Sequence, residues 1–405
     1  MTTSVPVRGK DLAGSTADSS SVRRLAMWAL ALGGFGIGTT EFVAMGLLPE
    51  MASSLGITEP TAGHVISAYA LGVVVGAPLI AALSAKVPRR ALLLALMVAF
   101  TVGNAASVLA PGYEALMVAR FVAGLPHGAY FGVAALVAAH LAEPGRRAKA
   151  VALVMMGLSV ANVVGVPVAS WLGQNWGWRS AFALVAALGL VTVAAIRSWV
   201  PALDGMKITN PMTELGALHR PQVWMTLIVG MVGFGGMFAV YTYISTTLTD
   251  VAGLSRALVP AALMVYGIGM VAGNLLGGRL ADRALVPGLF FAMAALTALL
   301  AIFVVASRSP FTALILIFLI GAAGAAMVPG LQTRLMDVAA DAQTLAASLN
   351  HAALNIANAF GAWIGGVVIA AGYGYTAPAV VGSLLAAAGL LVLAIAVAIE
   401  RRSTR

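Results

Sequence analysis

The chain has 405 residues, of which 61% are hydrophobic and only 9% charged, with a mean hydropathy of +0.98. A soluble domain carries roughly a quarter of its residues charged, so this composition excludes one and indicates an integral membrane protein. Cysteine is absent, which removes disulfides and Cys-ligated metals, and the net charge of +9 follows from membrane topology rather than from nucleic-acid binding.

Residues 1–24 are rich in Ser, Thr and Ala and hold no apolar core before Leu25, so they predict a disordered cytoplasmic tail, not a signal peptide. About 20 apolar residues cross a bilayer as a helix. Twelve such runs follow, at 25–49, 61–83, 90–110, 114–140, 148–172, 178–200, 222–248, 257–281, 287–306, 312–333, 344–371 and 376–399. The one long polar interruption, 201–221, holds Asp204, Lys207, Glu214, His219 and Arg220. It divides the chain into an N-terminal six-span bundle at 25–200 and a C-terminal one at 222–399, followed by a tail at 400–405. The predicted fold is an all-α membrane protein of two pseudo-symmetric six-helix bundles.

With the N-terminus in the cytoplasm, only Arg179, Arg256 and Arg308 of the 23 Lys and Arg fall outside, and Arg120 lies within a span. The others are cytoplasmic, so the positive-inside rule places both termini there.

The two halves repeat. Tyr69, Gly72, Gly76, Leu83 and Lys86 recur 197 residues later as Tyr266, Gly269, Gly273, Leu280 and Arg283, and the same offset carries Phe121 and Gly124 onto Phe318 and Gly321. Ala161-Asn162-x-x-Gly165 maps onto Ala357-Asn358-x-x-Gly361 with a one-residue slip. Two similar halves in the same order describe a transporter whose binding site lies between them.

Glu41 and Arg120 are the ionisable pair well inside the spans. A lone charge there costs at least ~2.5–3.5 kcal/mol, so each needs a partner or a wet cavity. Glu41 lies about 12 Å and Arg120 about 9 Å below the same outer surface at 1.5 Å per residue. Their matched depth makes each the expected partner of the other. His127 follows Arg120 by two helical turns on the same face, and the three groups suit a proton relay. The structural alternative has Arg120 snorkelling to the surface, Glu41 as a counter-charge and His127 as a packing contact.

His351, Asn355 and Asn358 share one face of the eleventh span, and Phe234, Phe238 and Tyr241 share one of the seventh. Such faces turn inward, either to bind a small solute or as interhelical glue and core packing. Gly157, Gly165, Pro167 and Gly173 on the fifth span, with Gly361, Gly365 and Gly366 on the eleventh, allow close, bent helices.

These features resemble the major facilitator superfamily, in its twelve-span drug:proton antiporter group. Gly278-Arg279-Leu280-Ala281-Asp282-Arg283 and the basic end of Ala85-Lys86-Val87-Pro88-Arg89-Arg90 resemble the family's cytoplasmic loop signature. Arg120-Phe-Val-Ala-Gly124-Leu-Pro-His127-Gly128 is similar to its helix 4 signature, whose arginine is associated with proton coupling. Ala161-Asn162-Val-Val-Gly165-Val-Pro167, with Trp178-Arg179-Ser-Ala-Phe182, resembles the helix 5 antiporter motif and the start of helix 6. Thr40-Glu41-Phe42 and the Leu-Pro-His-Gly run are most similar to the sugar-efflux, arabinose-efflux, purine-efflux and chloramphenicol-exporter subgroup. Two departures stand out: Ala85 replaces the usual loop Asp, and Val166 separates the motif's Gly and Pro.

The resemblance implies the major facilitator fold and a proton-coupled exporter of small drugs, sugars or nucleosides, working by alternating access as a monomer in a bacterial inner membrane. Proton coupling is expected at Glu41, Arg120 and His127. Expected substrate contacts are His127, Tyr130, Asn162, Phe238, Tyr241, Asn355 and Asn358. Lys86, Arg89, Arg90, Asp282 and Arg283 would form the conformational-switch loops. No cofactor, metal or nucleic acid is expected. A proton-coupled importer on the same fold is the alternative. An intramembrane enzyme is disfavoured because Gly-x-Ser-x-Gly, His-Glu-x-x-His and paired intramembrane carboxylates are all missing. A channel is disfavoured because no filter motif or polar ring is present.

Overall fold

The computed structural model describes residues 12–84, 87–143, 147–203, 219–339 and 343–403, and all regular structure among them is helical. The N-terminal half contains α1 (Leu12–Gly46), α2 (Glu59–Leu83), α3 (Arg89–Leu109), α4 (Tyr113–Leu141), α5 and α6 (Trp178–Trp199). A short helix, Leu48–Leu55, follows α1 and stops at Gly56, whose φ of 65° is the left-handed conformation glycine tolerates. α5 runs from Arg147–Val160 through a widened turn, Ala161–Gly165, into Val166–Trp176. The wide turn lies just before Pro167, which has no N–H to donate and whose ring crowds the carbonyl four residues back.

The C-terminal half opens with α7, built of Pro221–Ile228, a wide turn at Val229–Gly233 and Gly235–Thr242. The helical stretch Val259–Ala306 is too long to be one span, at about 72 Å if straight. It breaks at Ala284, which is extended at φ −158° and ψ 78°. Beyond the break the chain doubles back, so that a Cβ on Gly288 would meet the Leu280 Cβ at 2.8 Å. The two arms, 259–283 and 285–306, are α8 and α9. α10 (Pro310–Ala339), α11 (Gln343–Val368) and α12 (Ala377–Ser403) complete the half. Eleven helical stretches among the described residues are long and apolar enough to cross a membrane. Counting the folded-back stretch twice gives the twelve expected.

Two expectations need comment. α1 begins at Leu12, so residues 12–24 are helical where the sequence predicted a disordered tail. Extending a nucleated helix adds one hydrogen bond per residue fixed, which a polar stretch without proline can sustain. Of the 201–221 linker, residues 204–218 lie outside the described residues.

The repeat seen in the sequence is a repeat of close contacts. In the first half, a Cβ on Gly72 would stand 2.2 Å from the Phe121 carbonyl oxygen and one on Gly76 2.0 Å from that of Leu125. In the second, Gly269 meets the Phe318 carbonyl at 2.2 Å and Gly273 that of Ala322 at 2.1 Å. Both α2 against α4 and α8 against α10 are therefore backbone-to-backbone contacts that only glycine permits.

The halves meet unevenly. An even number of spans puts both termini at one end of the molecule. At the opposite end a continuous apolar core joins the halves, with Phe42, Leu48, Val65, Leu116 and Val166 packed among Phe234, Phe238, Leu263 and Ile317. Gly267 of α8 rests on the Asn162 carbonyl of α5, and Ser67 Oγ of α2 donates to the Ala359 carbonyl of α11 at 3.0 Å. Arg256 donates twice to one Glu50 oxygen, at 2.9 and 3.1 Å, and Thr246 Oγ1 donates to Glu59. Toward the termini the core divides. One cluster, with Met27, Leu93, Phe100, Val137 and Ile196, belongs to the first half, and another, with Val223, Leu227, Leu335 and Ala353, to the second. The halves share one apolar core at the end away from their termini and have separate cores at the end that carries them, the parted end.

Candidate functional site

α1, α2, α3, α4 and α6 converge on Arg120, which is wholly buried. Its Nη1 donates to Thr40 Oγ1 at 2.8 Å and its Nη2 to the Thr40 carbonyl at 3.0 Å. Thr40 Oγ1 in turn donates to Asn104 Oδ1 at 2.6 Å, and Asn104 Nδ2 donates to the Phe100 carbonyl at 2.8 Å. The guanidinium lies over the Tyr69 ring at 4.4 Å and the Phe182 ring at 4.9 Å, so two π faces share its charge. A guanidinium never deprotonates, and here dipoles and rings take the place of water around it.

The expected Glu41–Arg120 ion pair is not formed in this structure. Glu41 is 7% exposed and makes no hydrogen bond or salt bridge among the described residues, though it stays within electrostatic reach of Arg120 and Tyr69. Thr40 and Glu41 differ in depth by only about 1.5 Å but point about 100° apart. The guanidinium takes the threonine, which offers a side-chain and a main-chain oxygen together.

Arg120 and His127 do share a face. Tyr69 joins them, its ring under the guanidinium and its hydroxyl 3.0 Å from His127 Nδ1. His127 packs against Phe131 at 5.4 Å between ring centres, and Phe131 stacks on His351 of the other half at 5.7 Å and 5°. A line of polar and aromatic groups therefore runs from the buried charges to α11. Thr40, Tyr69, Asn104 and Phe182 were not among the site residues expected from sequence. A lone side-chain amide, Asn104, in the third span and a tyrosine repeated at 69 and 266 are the signals that point to them.

Other expected residues divide into groups. Phe238 stacks on Phe42 at 6.2 Å, and Tyr241 meets Phe42 edge-on at 5.9 Å and stacks on Tyr266 at 4.0 Å, placing an aromatic cluster between α1, α7 and α8. Asn162 and Asn355 each donate to the carbonyl four residues back and leave Oδ1 unpaired, while Asn358 leaves both amide atoms unpaired. Tyr130 stands apart: its hydroxyl donates to the Leu30 carbonyl at 2.9 Å and its ring fills the space beside Gly33, which fastens α4 to α1. Of the loop residues, Arg90 donates to the Arg197 carbonyl within its own half. Arg89 is half-buried and forms no ion pair among the described residues. Asp282 and Arg283 are exposed and form no ion pair among the described residues. Lys86 lies outside the described residues. No cluster of metal-ligating side chains occurs among the described residues.

Known proteins resemble this chain in sequence and in fold. The family model for the Major Facilitator Superfamily matches residues 30–305 and 253–405. The inner membrane transport protein YdhP of Escherichia coli (strain K12) is 43% identical over 365 residues, 90% of this chain and 94% of that one. The chloramphenicol resistance protein of Streptomyces lividans is 35% identical over 375 residues, 91% of this chain and 95% of that one. A crystal structure of a D-xylose-proton symporter superposes with a TM-score of 0.72, covering 91% of this chain and 96% of that one at 17% identity, a likeness of fold. The chain belongs to the major facilitator superfamily of multi-pass membrane transporters for small molecules, and is not an enzyme.

Proposed function

We propose that this transporter is a proton-coupled exporter of small molecules, with Glu41 carrying the proton. The observation that carries this reading is the pairing of a buried, permanently charged Arg120 with a buried carboxylate that is near it but not bonded to it. Ionised, Glu41 is drawn to Arg120; protonated, it is neutral and leaves the guanidinium to Thr40. One proton thus selects between two arrangements of α1 against α4, and such bistable charge sites within a membrane are functional by default.

The uneven junction between the halves supports alternating access. The apolar cores of the two halves are separate at the parted end, and opening the other end requires breaking Glu50–Arg256, Thr246–Glu59 and Ser67–Ala359. Charge placement puts both termini, and hence the parted end, in the cytoplasm. Solute would then load from the cytoplasm, consistent with a chloramphenicol resistance protein among the relatives. A bacterial inner membrane and a monomeric state complete the proposal.

Everted vesicles test it. With the chain present, an imposed proton gradient should drive saturable uptake of labelled chloramphenicol or a labelled sugar, and a protonophore should stop it. Gradient-driven uptake confined to right-side-out vesicles would overturn export in favour of import.

A further inference from the structure

Asn358 is fully buried, and neither its Oδ1 nor its Nδ2 has a partner. Buried amides are nearly always hydrogen-bonded, so an amide left wholly unpaired calls for an explanation. On α11 it points away from the exposed Phe360, Trp363 and Val367 toward the junction of the halves. Seven residues toward the parted end, His351 is half-buried and already touches Phe131 of the other half. Between them Asn355 is 3% exposed, with its Oδ1 also unpaired. The face runs from the half-buried His351, stacked on Phe131, to buried, unpaired amide atoms.

Three atoms are on offer: a donor and two acceptors, with no unpaired charge on this face. Oδ1 and Nδ2 of one asparagine lie in a plane and complement a donor–acceptor edge of the same spacing, as asparagine does with a base edge. A polyol buried here would leave most of its hydroxyls unpaired, whereas a flat ring with one donor–acceptor edge would satisfy the amide without burying further polar groups. We infer that Asn358 recognises a neutral, planar solute through an amide-type donor–acceptor edge, with Asn355 Oδ1 accepting one further donor. This rests on the transport reading above and narrows its substrate class.

The test is equilibrium binding to the purified chain in lipid nanodiscs, without a proton gradient. The probes are labelled uracil, 1,3-dimethyluracil with its N–H groups blocked, arabinose and tetraphenylphosphonium. Uracil should bind and 1,3-dimethyluracil should bind at least about tenfold more weakly. Asn358→Leu should weaken uracil by about 5- to 150-fold, the worth of one two-point contact. Asn358→Asp, which keeps the acceptor and loses the donor, should weaken it as well, and Asn358→Gln should keep part of the binding and so exclude misfolding. Equal binding of both pyrimidines, no binding of uracil, unchanged affinity in Asn358→Leu, or an Asn358-dependent affinity for arabinose or the cation would overturn the assignment. Gradient-driven flux in vesicles separates the two readings. Uracil bound as predicted but never moved would remove the transport proposal, and flux of another solute without uracil binding would remove this one.

Discussion

The same frame carries opposite contents in the two halves. α2 on α4 and α8 on α10 pack through matching glycines at nearly equal distances. In the first half that frame holds Arg120 over Tyr69 and His127 against the Tyr69 hydroxyl. In the second, Ile317 and Gly324 occupy the corresponding positions. Tyr266 stacks on Tyr241 with its hydroxyl unpaired, and the sulfur of Met237 fills the space beside Gly324. Close backbone packing is what the repeat preserves, and side chains added to one copy of it supply the chemistry. One half is arranged to hold charge and the other to pack.

That comparison can be broken at graded strength. The largest effects should be alike in both halves: Gly72→Val and Gly269→Val each drive a side chain into a carbonyl oxygen about 2 Å away. Each should cost about 3 kcal/mol or more and abolish monodisperse protein in size-exclusion profiles. A tolerant Gly269 would show that the second frame is looser than its geometry implies. Next, Arg120→Leu strips the donors from Thr40 and should cost about 2–3 kcal/mol along with all gradient-driven transport, whereas Ile317→Leu should shift stability by less than about 1.5 kcal/mol. Thermal unfolding in detergent, paired with vesicle transport, reads both. The smallest and sharpest contrast is between the tyrosines. Tyr69→Phe breaks the bond to His127 and should cost about 1 kcal/mol, while Tyr266→Phe removes a hydroxyl without a partner and should be neutral or stabilising. Equal destabilisation by the two would mean that the Tyr69–His127 bond contributes nothing of its own.

Much of the fold was legible because a bilayer demands spans of fixed length and because glycines at a backbone contact cannot be replaced. The fold-back near Ala284 was expected from the gap between the eighth and ninth spans, and the 197-residue offset reappears atom by atom. Depth was legible too: Arg120, Thr40 and Glu41 lie at one level. Azimuth was not. Two adjacent residues of α1 stand at that level, and nothing in a linear pattern says which one the guanidinium will meet. For the same reason the charges could be named while Tyr69 and Asn104, which hold them in place through other helices, could not. The start of α1 was misread because a polar sequence can extend a helix nucleated by the apolar stretch after it. The asparagine face of α11 needed only a helical period, whereas the bond of Tyr130, an expected substrate contact, to the Leu30 main-chain carbonyl leaves no mark in sequence.

The central claim is that Glu41 carries the proton whose movement drives solute across the membrane. The most direct test is to record solute-induced proton current from proteoliposomes on a solid-supported membrane, for the wild type and for Glu41→Gln, beside solute binding to the same preparations. The account predicts a current in the wild type, none in Glu41→Gln, and retained solute binding in both. Wild-type current from Glu41→Gln would contradict it.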